Sequence, residues 1–122
     1  MTGKINYDEL ARFCAACAEE KLAENVEILP IGAVSSIADY FVVATANSDP
    51  QLRAVAGFVE RRVREEYRLH TVSGSESGEG GWLLLDFGNV IVHIMTPEMR
   101  SRCNLEGLWG NTEKRRAMRT EA

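Results

Sequence analysis

A single α/β domain is the fold class this sequence predicts, and three observations carry it. Apolar residues recur at helical spacing in two long stretches, 10–22 and 52–63. Around them lie short, nearly continuous apolar runs bounded by proline, glycine or asparagine, which read as strands. A chain of 122 residues with 45% hydrophobic and 26% charged content can bury a real core and is not disordered.

The first helix should open at Asn6, whose side chain can cap it while Glu9 reaches back as the third helical residue. Leu10, Cys14, Cys17, Ala18 and Leu22 form its buried stripe, broadened by Ala11 and Ala15. Val26-Glu-Ile-Leu29 is a first strand, closed by Pro30 and Gly32, and residues 39–45 are a second, mostly apolar one. Asn47-Ser-Asp-Pro50 signals a helix start, with Ser48 or Asp49 as cap and the proline in the first turn. Leu52, Val55, Ala56, Val59 and Val63 are the face this second helix buries. A short strand is expected at 69–72, then a loop at 73–81 that is flexible by composition. Two further strands span 82–95 around Gly88-Asn89, a pair suited to a two-residue hairpin turn. The third helix opens at Thr96-Pro97, with Gly110 as its stop. Residues 1–110 thus form the domain, and 111–122, with Lys114, Arg115, Arg116 and Arg119, a flexible basic tail.

Charge and composition narrow the function classes. Eighteen acidic against 14 basic side chains leave a net charge of −4, which disfavours whole-surface attraction to nucleic acid. No apolar run approaches the ~18 residues of a membrane span, and no secretory or Arg-rich transit segment is visible, so a cytoplasmic location is expected. Three cysteines, an odd number, argue for reduced thiols.

The hairpin is the most informative stretch. With Gly88-Asn89 as the turn, Leu84 faces His93 and Trp82 faces Met95 across the pair. Side-chain alternation then puts Trp82, Leu84, Asp86, Ile91, His93 and Met95 on one face, and Leu83, Leu85, Phe87, Val90, Val92 and Ile94 on the other. The second set is wholly apolar and belongs under helices. The first mixes a large aromatic with a carboxylate and an imidazole, which are awkward in a core but suit an exposed docking surface. The alternative is that loops or the tail cover this face.

Other motifs have plainer readings. Asp86 and His93 resemble half of a catalytic triad, but no serine stands in a Gly-x-Ser-x-Gly elbow, so no enzyme is expected. Cys14-Ala-Ala-Cys17 lies well inside a helix and reads as small packing residues, not a redox or zinc pair. Gly74, Gly78, Gly80 and Gly81 precede a strand where a phosphate loop would need a helix. The arginines of the second helix alternate with Glu60, Glu65 and Glu66, giving a solvated ion-pair face.

Residues 8–110 resemble the ribosomal silencing factor, or Iojap-like, family. The likeness is carried by Asp39, Tyr40 and Thr45 of the second strand, Arg53, then Trp82, Asp86, Gly88, Val90, His93 and Pro97, and finally Leu105, Leu108, Trp109 and Gly110. The resemblance implies a mixed β-sheet with helices packed mainly on one face, similar in outline to nucleotidyltransferases but without their chemistry. It implies no cofactor. The implied partner is the large ribosomal subunit, bound through a ribosomal protein on its intersubunit face, with a minor contact to ribosomal RNA left open. Occupying that face would block joining of the small subunit and repress translation when nutrients are scarce. Trp82 matches the aromatic such proteins set against their partner, and Asp39, Tyr40 and Thr45 join the hairpin face as partner-binding residues. The departures are Asn89 where the family usually has aspartate, Ala46 where it often has glycine, and no aromatic near Cys103 or Asn104. Two other readings stay open: a nucleotidyltransferase-like, metal-dependent enzyme using Asp39 and Asp86, and a homodimer built on the apolar sheet face.

Overall fold

The computed structural model describes residues 5–72, 79–105 and 107. Its elements are α1 (Tyr7–Glu20), β1 (Glu24–Pro30), β2 (Tyr40–Thr45), α2 (Asp49–Tyr67), β3 (Trp82–Asp86), β4 (Val90–Met95) and α3 (Pro97–Cys103). Each helix starts where a side-chain oxygen takes up a free backbone donor. Asn6 Oδ1 accepts from Glu9 N–H at 3.1 Å, Ser48 Oγ from Gln51 N–H at 3.2 Å, and Thr96 Oγ1 from Met99 N–H at 3.3 Å. The five residues expected to form the inner face of α2 are all buried, as is the α1 stripe from Leu10 to Ala18. Leu22 is a correction. The helix ends at Glu20, and Leu22 takes a left-handed backbone (φ 70°) that turns its side chain outward, 76% exposed.

The four strands form one mixed sheet in the order β1-β2-β4-β3. β1 and β3 run antiparallel to their neighbours, whereas β2 and β4 are parallel, with Val43 beside His93 and Thr45 beside Met95. β2 and β4 are therefore central. α1 and α2 cover one face, where Leu83, Leu85, Phe87, Val90, Val92 and Ile94 join the main core, as the alternation predicts. A smaller cluster of Leu29, Ile31, Ala38, Phe41, Val43, Ile91, Met95 and Leu105 fills the opposite face, with Met99 and Cys103 of α3 packed against it.

The hairpin has the expected register, Trp82 opposite Met95 and Leu84 opposite His93. Its turn is closed by Phe87 N–H donating to Val90 O at 3.0 Å, and Gly88 supplies the positive φ (97°) that its first central position needs.

Two element expectations are corrected. Residues 69–72 form no strand: Arg68 caps α2 in a left-handed conformation, and the one backbone bond to β3 runs from Val72 N–H to Asp86 O, which is not a ladder. α3 does not continue smoothly towards Gly110. Asn104, at φ 49° and ψ 51°, terminates it, and among the described residues beyond it 105 and 107 are helical. Residues 108–110, the loop at 73–78 and the tail at 111–122 lie outside the described residues.

Candidate functional site

The residues expected on the hairpin's mixed face do share one side of the sheet, but they differ in depth. Trp82, Leu84 and Asp86, on edge strand β3, are half-buried. Ile91, His93 and Met95, on β4, are buried, His93 to 4% exposure. The expectation of one open surface of six side chains is corrected accordingly. β4 lies between β3 and β2, so both flanks of its side chains are occupied, and the cluster over Ile31, Ala38 and α3 closes the centre. Of these six side chains, the three on β3 are the ones that reach solvent.

His93 and Trp82 are coupled. The indole Nε1–H donates to His93 Nδ1 at 3.2 Å, with ring centroids 5.8 Å apart. On its other side the imidazole meets Phe41 edge to face, centroids 4.5 Å apart at 68°. Burial pushes the His93 pKa down to about 4, because a charged ring would be stripped of water in an apolar layer. Its Nε2 is buried without a hydrogen-bond partner among the described residues.

The carboxylates expected at the site brace the hairpin turn, one through backbone and one through a side chain. Asp86 Oδ1 accepts from Gly88 N–H at 2.8 Å and so buttresses the turn it precedes. Asp39 Oδ2 accepts from Asn89 Nδ2 at 2.9 Å, and Asn89 O in turn accepts from the backbone N–H of Asp39 and of Tyr40. Asn89 therefore stitches the hairpin turn to the start of β2. No group of three or more His, Cys, Asp or Glu able to hold a metal occurs among the described residues.

Asp39 and Tyr40 do not join Trp82. The β2–β4 register sets Tyr40 beside Val90, at the turn end of the sheet, and Thr45 beside Met95, at the Trp82 end. Five strand steps separate Tyr40 from Thr45, roughly 16 Å. Tyr40 also packs with the main core on the helix-covered side and borders an open cleft of about 540 Å³ with Tyr7, Asp8, Gly32 and Asp39. Thr45 is on the Trp82 side but is 3% exposed, its hydroxyl accepting from Arg100 Nη1 at 2.7 Å.

Sequence reasoning missed Phe41 and Arg100. The apolar run from Phe41 to Ala44 was a usable signal for Phe41, since a strand apolar on both faces belongs in the middle of a sheet. Nothing local marks Arg100, which lies 55 residues from Thr45. The plain readings of the cysteines and of the α2 arginines agree with the geometry. Cys14 and Cys17 are buried, and desolvation raises both thiols above their ordinary range. Arg62 of α2 pairs with Glu65 at 3.2 Å and Glu66 at 3.4 Å on the solvent side. No helix among the described residues is long and apolar enough to cross a membrane.

The fold is shared with other proteins. A crystal structure of a Chromobacterium violaceum protein superposes with a TM-score of 0.81 at 29% identity, over 89% of this chain and 90% of that one. The ribosomal silencing factor of Bacillus subtilis is 33% identical over 108 residues, 88% of this chain and 90% of the relative. More distantly, the mouse protein named mitochondrial assembly of ribosomal large subunit protein 1 is 26% identical over 92 residues, which cover 71% of this chain and 39% of its own. The family model described as ribosomal silencing factor during starvation matches residues 4–122, and the chain accordingly belongs to that family.

Proposed function

We propose that this protein represses translation by binding the large ribosomal subunit, through a ribosomal protein on its intersubunit face, and sterically preventing the small subunit from joining. It acts in the cytoplasm when nutrients are limiting, and without catalysis. The observation that carries the reading is Trp82: a half-buried indole on a sheet edge, flanked by Leu84 and Asp86 on the same face. A large aromatic set beside an apolar and a charged group is the composition of an interface hot spot. The family's silencing name and the large-subunit name of the mouse relative support the choice of partner. Ile91, His93, Met95 and Thr45 serve as the layer beneath the contact surface. Asp39 and Tyr40, at the other end of the sheet, are proposed as a peripheral contact only.

The test is a sucrose-gradient profile of purified subunits with added protein. Co-migration with the large subunit and a smaller peak of joined ribosomes are expected. Normal joining at saturating protein would contradict the reading.

A further inference from the structure

We infer that His93 is a positioning residue, whose buried imidazole holds the indole of Trp82 in the orientation that meets a partner. This rests on the docking role proposed for Trp82 and adds the group that sets that side chain's direction. An indole nitrogen can only donate, so the 3.2 Å bond from Trp82 Nε1 requires His93 Nδ1 to accept. Nδ1 is then bare, and the single proton of the neutral ring sits on Nε2. Nε2 is buried and finds no hydrogen-bond partner among the described residues. For stability alone this is a poor residue choice, because the neighbours Ile91, Met95, Phe41 and Val43 are apolar and a buried donor left unpaired is unfavourable. What the imidazole supplies, and an apolar side chain could not, is one acceptor aimed at Trp82.

The register makes that hold directional. His93 lies beside Val43 of β2 and opposite Leu84 of β3, so Phe41 and Trp82 are both its diagonal neighbours. Phe41 fixes the plane of the imidazole from one side, and the imidazole fixes the indole on the other. The row of three rings runs from a central strand outward and ends half-buried at the sheet edge. Because Nε1–H is satisfied internally, the indole presents carbon edge and π-face. The partner group it suits is an aliphatic stem or a cation, not a hydrogen-bond acceptor.

The test uses the full chain carrying Trp109→Phe, so that Trp82 is the sole indole. His93→Phe keeps ring and volume but removes the acceptor; His93→Leu is a second variant read the same way if the first does not fold. The indole N–H exchange rate of the free protein is followed by NMR, and affinity for purified large subunits by co-sedimentation. The expected result is a melting temperature at or above that of the parent, exchange at least ~10-fold faster and affinity about 10-fold weaker. His93→Asn, which returns an acceptor near the Nδ1 position, should recover much of both. In a Trp82→Phe background, which has no donor to hold, His93→Phe should cause no further loss of affinity. Unchanged affinity despite faster exchange, or a loss that persists in the Trp82→Phe background, would overturn the inference. Parent-like affinity of Trp82→Ala would instead remove the docking reading, while the exchange measurement would still report the tether.

Discussion

Trp82 is held from beneath and open from one side, so truncating it removes contact surface without opening the core. Trp82→Ala should fold and bind large subunits about thirtyfold more weakly, corresponding to ~2 kcal/mol for the loss of an aromatic anchor. Affinity titration by co-sedimentation measures this. Asp86 needs a gentler probe than charge reversal, since its Oδ1 holds Gly88 N–H. Asp86→Asn retains that acceptor and removes the charge. If the carboxylate meets a basic group, this variant should bind less tightly at low salt while its melting temperature stays near the parent's. His93 makes stability depend on pH in a defined direction. Its folded pKa, about 4, lies below the ordinary 6.5, so between these values the unfolded chain binds the extra proton. Stability from this group is therefore complete above pH 6.5 and declines as pH falls towards 4, by roughly 3 kcal/mol in all. Urea midpoints measured across pH 7 to 4.5 should fall, and His93→Phe should flatten the decline.

At the scale of elements, the β3–β4 hairpin was the most legible part of the chain. Its register follows from a two-residue turn and strict alternation, and both are local properties of residues 82–95. The turn is also its most sensitive point. Gly88 sits at φ 97°, and among the described residues an added Cβ would meet only Val72 Cγ2, at 4.0 Å, so Gly88→Ala is strained by its backbone angle. It should destabilise the fold by about 1–2 kcal/mol, measurable by chemical denaturation. Gly81 differs. A Cβ there would come within 2.6 Å of Thr96 Oγ1, the oxygen that caps α3, so Gly81→Ala should disturb the start of that helix as well. The caps of α1 and α2 were readable because a cap is a contact between residues three apart. The supposed strand at 69–72 was not excluded by its residues; what it lacks is a neighbour along its length, and pairing is never visible in one segment. The break of α3 at Asn104 went unread because asparagine tolerates both helical and left-handed backbones.

For the whole molecule, the two sheet edges are unlike. β1 carries Glu24 and Glu27, an irregular register at Asn25 and a terminal Pro30, all of which discourage strand addition. β3 carries Trp82, Leu83, Leu84 and Leu85. A partner is therefore expected on the β3 side. If blocking is steric, inhibition of joining should follow mass action. Raising the concentration of small subunits at fixed repressor should restore joined ribosomes in the gradient. Inhibition that resists excess small subunits would argue for another mechanism.

The residue pattern by itself determined the α/β class, the helix starts, the hairpin register and which five side chains share a face with Trp82. Each depends on periodicity or on contacts within a few residues, and such information is written along the chain. Tertiary structure alone decided that β2 pairs in parallel with β4, that α3 and Ile31 close over Met95, and that Arg100 reaches Thr45. Apart from the packing of α3, these contacts join segments tens of residues apart, and depth below the surface depends on every layer at once. That is why the face was identified correctly while its openness was overestimated: alternation tells which way a side chain points, but only the assembled sheet tells what waits there.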